Sequence, residues 1–165
     1  MSLVKGIVAV DPGSNGYICY LDTKFDFIKF ISLNETPTYI YSYLKSFFDN
    51  GLRNVYVEDV HSIYGSSAKS NFNFGRNVGY IQGLISSTGL ITTPIQPKEW
   101  QKGIGVVSKG KAIKKEVADI VTKAYPYISK DIIGPRGGLI DGKSDSLGIA
   151  HFIKLQENDN ETRIN

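Results

Sequence analysis

The stretch "GIVAVDPGSNGYICYLD", residues 6–22, decides how the rest of the chain is read. Its first five residues are an apolar run of strand length, which suits a buried strand. The run breaks at Asp11-Pro12-Gly13, where Gly13 and Gly16 are expected to supply the positive φ of a tight turn. "YICYLD" (17–22) and "FDFIKFISL" (25–33) follow as two further strands, close enough in sequence to pair antiparallel. The domain therefore opens with a β-meander.

Thr36-Pro37 then has the pattern of an N-cap with proline at the first helical position. Aromatics and Leu44 at helical spacing predict a helix from Thr38 to Phe48, stopped at Asn50-Gly51. "NVYVEDV" (54–60) is the next strand, and a helix is predicted from Asn71 to about Ser86. Gly75, Gly79 and Gly83 share one face of that helix and lower its propensity, so close packing against something is expected there. "LITTPIQ" (90–96) is a short strand, "PKEWQKGIG" (97–105) a turn of helix, and "KGKAIKKEVADIVTKAY" (109–125) a lysine-rich amphipathic helix. A Gly- and Pro-rich loop (126–140) precedes a last helix from Asp141 to about Leu155, with a frayed tail beyond Gln156. Three antiparallel strands followed by helix, strand, helix, strand and helices suggest a mixed sheet flanked by helices in one α/β domain.

A chain of 165 residues suits one domain with a substantial core. The formal charge of +3 announces no polyanion partner by itself, but its distribution is uneven. Lysines 98, 102, 109, 111, 114 and 115 are accompanied by the single acid Glu99, whereas the last ten residues hold three acids. Cys19 is the only cysteine, which excludes an intrachain disulfide and a cysteine-built zinc site. With no 18-residue apolar run and no signal-peptide layout, a soluble cytoplasmic protein is expected, with no membrane partner.

The chemistry-bearing residues are acidic. Glu58 and Asp59 end a strand flanked by Val55, Val57 and Val60, and a carboxylate in an apolar setting is costly unless paired or coordinated. Asp11 ends the first strand. Asp141 and Asp145 stand i and i+4 in "DGKSDSLGIAHF" (141–152), with Ser144 and Gly148 small enough to let that face approach the sheet. Converging carboxylates repel, and the usual relief is a raised pKa or a bound divalent cation. Two Mg²⁺ ions bridged by a shared aspartate would be the nucleic-acid-cutting arrangement, one activating water and the other steadying the leaving oxygen. Each acid also has an ordinary reading: Asp11 as a turn former, Glu58 as a solvated strand end, Asp141 as an N-cap and Asp145 as a surface helix residue.

In combination, "VAVDPGSNG" (8–16), "VYVEDVHSIYGSSAKSNFNFGRNVGYIQGLI" (55–85), "PIQPKEWQKGIG" (94–105) followed by lysines, and "DGKSDSLGIAHF" span nearly the whole chain. In these segments the chain resembles the RuvC-like Holliday junction resolvases, most closely their bacteriophage members, within the retroviral integrase/RNase H superfamily. The resemblance implies an RNase H-like mixed five-stranded sheet flanked by helices over residues 1–156, with 157–165 a flexible tail. It implies a crossover junction endonuclease that resolves four-way and other branched DNA by paired nicks. It also implies a homodimer, with the glycine-spaced helix as part of the interface, and the host cytoplasm as location if the chain is phage-encoded. Asp11, Glu58, Asp141 and Asp145 correspond to the four metal-binding catalytic acids, holding two Mg²⁺ per site with Mn²⁺ able to substitute. Bacterial RuvC enzymes place the third ligand three residues before the fourth, which here is Gly142, whereas phage and poxviral relatives can place it four before, at Asp141. The family pattern also favours Glu58 over Asp59, which strand alternation sends to the opposite face.

Lys102, Lys109, Lys111, Lys114 and Lys115 are candidates to grip phosphates, against the ordinary reading of a solvated helix face. Arg76 is a candidate for phosphate contact or for an internal ion pair. Lys69 and the aromatics Tyr64, Phe72 and Phe74 suit a loop that stacks on exposed bases, or else cap the sheet, the core reading being preferred for Phe74. His61 is read as a surface histidine in preference to a DNA contact or supporting base, and His151 as structural. Two rival functions remain open at this point. One is a junction-binding protein without catalysis on the same fold. The other is a sugar-kinase or actin-type ATPase, which also opens on a strand and Asp-x-Gly but needs a second lobe that 165 residues do not accommodate.

Overall fold

In the computed structural model, which describes residues 5–25, 27–60 and 65–164, the first strand, β1 (Gly6–Asp11), is the middle of the sheet. Ile7 and Ala9 belong to one core and Val8 and Val10 to the other, so β1 is buried on both sides. That explains its unbroken apolar run. β2 (Tyr17–Asp22) pairs antiparallel with β1, and β3 (Ile28–Ser32) antiparallel with β2. On the other side β4 (Asn54–Glu58) runs parallel to β1, and β5 (Ile91–Ile95) parallel to β4. The order β3-β2-β1-β4-β5 is the expected mixed five-stranded sheet. Pro94, which has no N–H to donate, is tolerated because β5 is an edge strand.

One face of the sheet is covered by α1 (Pro37–Asp49) and α2 (Ala68–Ser87), through Ile40, Leu44, Ile81 and Ile85. The Thr36 hydroxyl accepts from the Tyr39 N–H, so the Thr-Pro start works as expected. The other face carries α3 (Pro97–Gly103), α4 (Ala112–Ala124) and α5 (Asp141–Ile164), with Trp100, Val117, Val121, Leu147 and Ile149 in the core. Ser144 and Ser146 are fully buried on α5, and each donates its hydroxyl to a carbonyl of its own helix, at Asp141 (2.9 Å) and Lys143 (3.1 Å). Among the described residues no helix is long and apolar enough to cross a membrane.

Three expectations need correction. Gly13 and Gly16 are absent from the positive-φ glycines, which are Gly51, Gly65, Gly89, Gly105, Gly110 and Gly137. What Gly16 supplies is room, since a Cβ there would sit 2.0 Å from the Asp11 carbonyl oxygen. In the single chain a Cβ at Gly75, Gly79 or Gly83 meets nothing within 4 Å, and Ile81 and Ile85 are the buried residues of that helix. α2 also begins earlier than expected, at Ala68, where the Ser67 hydroxyl accepts from the Ser70 N–H. Finally, α5 does not stop near Leu155 but continues through the segment expected as a tail, to Ile164, since no Gly or Pro interrupts it. The 126–140 stretch is a loop as expected, with one 3-10 turn (Pro126–Ile128) and a bridge between Ile133 and Leu139.

Two glycine substitutions should separate. Gly16→Ala must displace backbone and is expected to cost about 1–3 kcal/mol in urea unfolding. Gly79→Ala, with open space around it, should be neutral or stabilising by up to about 1 kcal/mol. A strongly destabilised Gly79→Ala would show that something packs on α2 in solution.

Candidate active site

Because β1 and β4 are parallel with Val10 opposite Val57, the next residues, Asp11 and Glu58, reach the same edge of the sheet. Asp11 accepts the Gly13 N–H at Oδ1 (2.9 Å), so it forms its turn and still presents a carboxylate to the cleft. Burial raises its pKa, partly offset by the Gly13 N–H and by Lys114, while the charge of Asp141 adds to the rise. Glu58 is pushed up to about 7, first by burial and then by the Asp11 charge. The indole Nε1 of fully buried Trp100, which donates to Glu58 Oε1 at 2.9 Å, opposes that shift.

α5 brings the other two acids. Asp145 is pushed up to about 8 by burial and then by Asp11, Glu58 and Asp141, so it feels all three of the others. Asp141 stands in the first turn of α5 and ion-pairs with Lys114 of α4. Asp145 thus lies within reach of the charges of the other three acids singled out from sequence. Asp59, the neighbour of Glu58, accepts from Gln96 Nε2 at 2.7 Å. Gly142 is tightly placed: a Cβ there would lie 2.3 Å from the Asn15 carbonyl oxygen and 2.9 Å from the Tyr17 ring. No side chain fits at that position without displacing the Asn15 backbone.

Among the described residues, no group of three His, Cys, Asp or Glu side chains stands close enough to hold a metal ion. The chemistry of the donor set nonetheless fits one. All four donors are carboxylates, the ligand type of hard divalent cations, and the pKa values of Asp11, Glu58 and Asp145 are raised first by burial and then by neighbouring carboxylates. Lys114 is the cation whose charge acts on that cluster.

The basic candidates fall into distinct settings. Lys114, although exposed, is tied to Asp141, and Lys115 pairs with Asp119 one turn along α4 at 2.6 Å. Lys109 and Lys111 are exposed on the loop before α4, which Glu116 braces by accepting the N–H groups of Val107 (3.2 Å) and Ser108 (2.7 Å). Lys102 is exposed on α3, and Arg76 is exposed on α2. Since Lys114 meets Asp141, the start of α4 lies beside the first turn of α5. Lys143, between the two α5 acids, is turned away to the Asp131 carbonyl at 2.8 Å.

Phe72 is 70% exposed and Phe74 half-buried. His61 and Tyr64 lie outside the described residues. His151 Nδ1 is 3.0 Å from the Tyr125 hydroxyl, a structural setting as expected. Sequence reasoning missed the Trp100–Glu58 bond and the Lys114–Asp141 pair. The only available signals were that Trp100 is the chain's sole tryptophan and that lysines cluster ahead of the acids.

No protein-family model matches the chain, and no curated protein matches it. Its fold is similar to that of Thermus thermophilus RuvC in complex with a Holliday junction substrate (TM-score 0.57, 13% identity, covering 89% of this chain and 91% of that one). It is also similar to a second Thermus thermophilus RuvC structure (TM-score 0.55, 16% identity, 89% and 92% covered). The expected RNase H-like mixed sheet flanked by helices is therefore the fold of this chain.

The cluster makes stability depend on pH in a definite direction. An acid whose folded pKa is raised stabilises the fold fully only below its unfolded pKa, and that contribution is lost as pH rises through the folded value. For Glu58 and Asp145 the losses run from 4.5 and 3.8 up to about 7 and about 8. In EDTA, Asp145→Asn should therefore raise the thermal midpoint at pH 8.5, by on the order of 5 °C, and change it little at pH 4. An equal effect at both pH values would refute the coupling.

Proposed function

We propose that this chain is a divalent-metal-dependent, structure-selective DNA endonuclease of the RuvC-like type, resolving four-way and other branched DNA by paired nicks. The observation that carries the reading is that Asp11 and Glu58 end adjacent parallel strands while Asp145 on α5 feels the charges of Asp11, Glu58 and Asp141. The RuvC structure bound to a Holliday junction substrate lends support for branched DNA as the partner. Asp141 four residues ahead of Asp145 supports the phage-type spacing, since Gly142 leaves no room for the alternative.

Asp11, Glu58 and Asp145 would hold the cation, with Asp141 joining once its pairing to Lys114 opens. Bound Mg²⁺ or Mn²⁺ would supply a water acidified for attack and a positive charge for the leaving oxygen. Asp11 would serve both ions where two bind, and a 5′-phosphate and a 3′-hydroxyl would be the products. Lys109 and Lys111, on the braced loop before α4, and Lys102 on α3 hold the flanking phosphates, and Arg76 is a further phosphate contact. A homodimer would present two such sites to the two-fold junction.

The Lys114–Asp141 pair favours a second reading, a junction-binding module in which a lysine takes the place of a cation. Cleavage of an end-labelled four-way junction against linear duplex, with Mg²⁺ or EDTA, decides between them. Paired symmetric nicks that need metal are expected. Asp11→Asn and Glu58→Gln should each lower cleavage about 1000-fold or more while junction binding persists, since metal charge stabilisation amounts to several kcal/mol. Junction binding with no cut in Mg²⁺ or Mn²⁺ would replace the endonuclease with the binding module. Replacing Lys109 and Lys111 together by alanine should weaken junction binding at low salt and flatten its salt dependence by about 0.9 for each phosphate left without its lysine.

A further inference from the structure

Helix α3 has seven residues, yet it touches both acids at the end of β4 and lies against the helix that carries the other two. Its cap residue Gln96 donates to Asp59 Oδ2 at 2.7 Å, and one turn later Trp100 donates its indole N–H to Glu58 Oε1 at 2.9 Å. The indole is fully buried. Two glycines let α3 sit this close. A Cβ at Gly148 would lie 2.7 Å from a Trp100 ring carbon, and one at Gly103 would lie 2.2 Å from the Phe152 ring. Gly148 stands three residues beyond Asp145, on the helical face shared by i and i+3 positions.

The same indole therefore fixes one oxygen of Glu58 and rests on α5 one turn from Asp145. A carboxylate with one oxygen engaged by a buried donor has lost most of its rotational freedom, and its second oxygen remains available as a ligand. Partners of this kind orient metal ligands, and their removal typically costs about 10–100-fold in affinity or activity.

We infer that Trp100 is the positioning residue of the carboxylate cluster, setting the orientation of Glu58 and the approach of α5 for a divalent cation. The inference rests on the endonuclease reading above. It also makes the protein its own reporter: Trp100 is the sole tryptophan, so intrinsic tryptophan emission comes from the group bonded to Glu58.

The test titrates MgCl₂ into the full-length protein without DNA while following that emission, and separately measures the Mg²⁺ dependence of junction cleavage. A saturable emission change is expected in wild type. It should vanish in Glu58→Gln, whose amide oxygen still accepts the indole N–H but carries no charge. Trp100→Phe should raise the Mg²⁺ concentration for half-maximal cleavage about 10–100-fold, with the maximal rate largely recovered at high Mg²⁺. A merely structural role would lower the thermal midpoint without that rescue. If Trp100→Phe does not fold, replacing the single tryptophan with 3-benzothienylalanine keeps the ring shape, removes only the N–H donor and should give the same shift. Unchanged Mg²⁺ dependence in a folded variant, with wild type cutting normally, overturns this inference alone. A wild type that neither cuts nor changes its emission with Mg²⁺ overturns it together with the endonuclease reading.

Discussion

The parallel pairing of β1 with β4 is the constraint on which the rest of the structure depends. It sets Val10 opposite Val57 and so carries Asp11 and Glu58 to a common edge, although α1 and two further strands lie between them in the chain. The apolar side chains of both strands commit them to the interior, with Val8, Val10, Val55 and Val57 in one core and Ala9 in the other. The polar ends of two buried strands then have nowhere to go except the rim, and the rim is where the carboxylates collect.

α5 completes that rim at an energetic cost that the rest of the fold offsets. Its first turns are packed against β1 and β2, with Ser144, Ser146, Leu147, Ile149 and Ala150 all buried. This packing drives Asp145 into a site where its charge is disfavoured by burial and by three other acids. Lys114 supplies a compensating charge through Asp141, from the exposed side of α4. Carboxylates held together by hydrophobic packing around them carry a repulsion that folding itself imposes. Trp100 works in the opposite sense, since its N–H opposes the rise in the Glu58 pKa while its ring fills the space between α3 and α5.

Much of this was legible in sequence. The strands showed as apolar runs, the start of α1 as Thr36-Pro37, and the break after β1 as Asp-Pro-Gly, because each depends on local backbone preferences. Lengths were less legible. α5 continues past Leu155 because nothing in residues 156–164 stops a helix, and an exposed polar run carries no periodic signal to show it. The glycines of α2 were legible only as a face, since three small residues look alike whether they meet a neighbour or open space.

By itself the sequence determined the order and type of the elements, the identity of the acids and their placement at strand and helix ends, all consequences of local pattern. The tertiary structure alone decided which acids share a cleft and what restrains them. Trp100 meets Glu58 across 42 positions and Lys114 meets Asp141 across 27, pairings that exist only because α3 and α4 are laid against α5. The reason that Gly142 carries no acid is likewise tertiary, since only the fold places the Asn15 carbonyl where a Cβ would be. Such pairings arise from close packing between distant segments, and no periodicity along the chain encodes them.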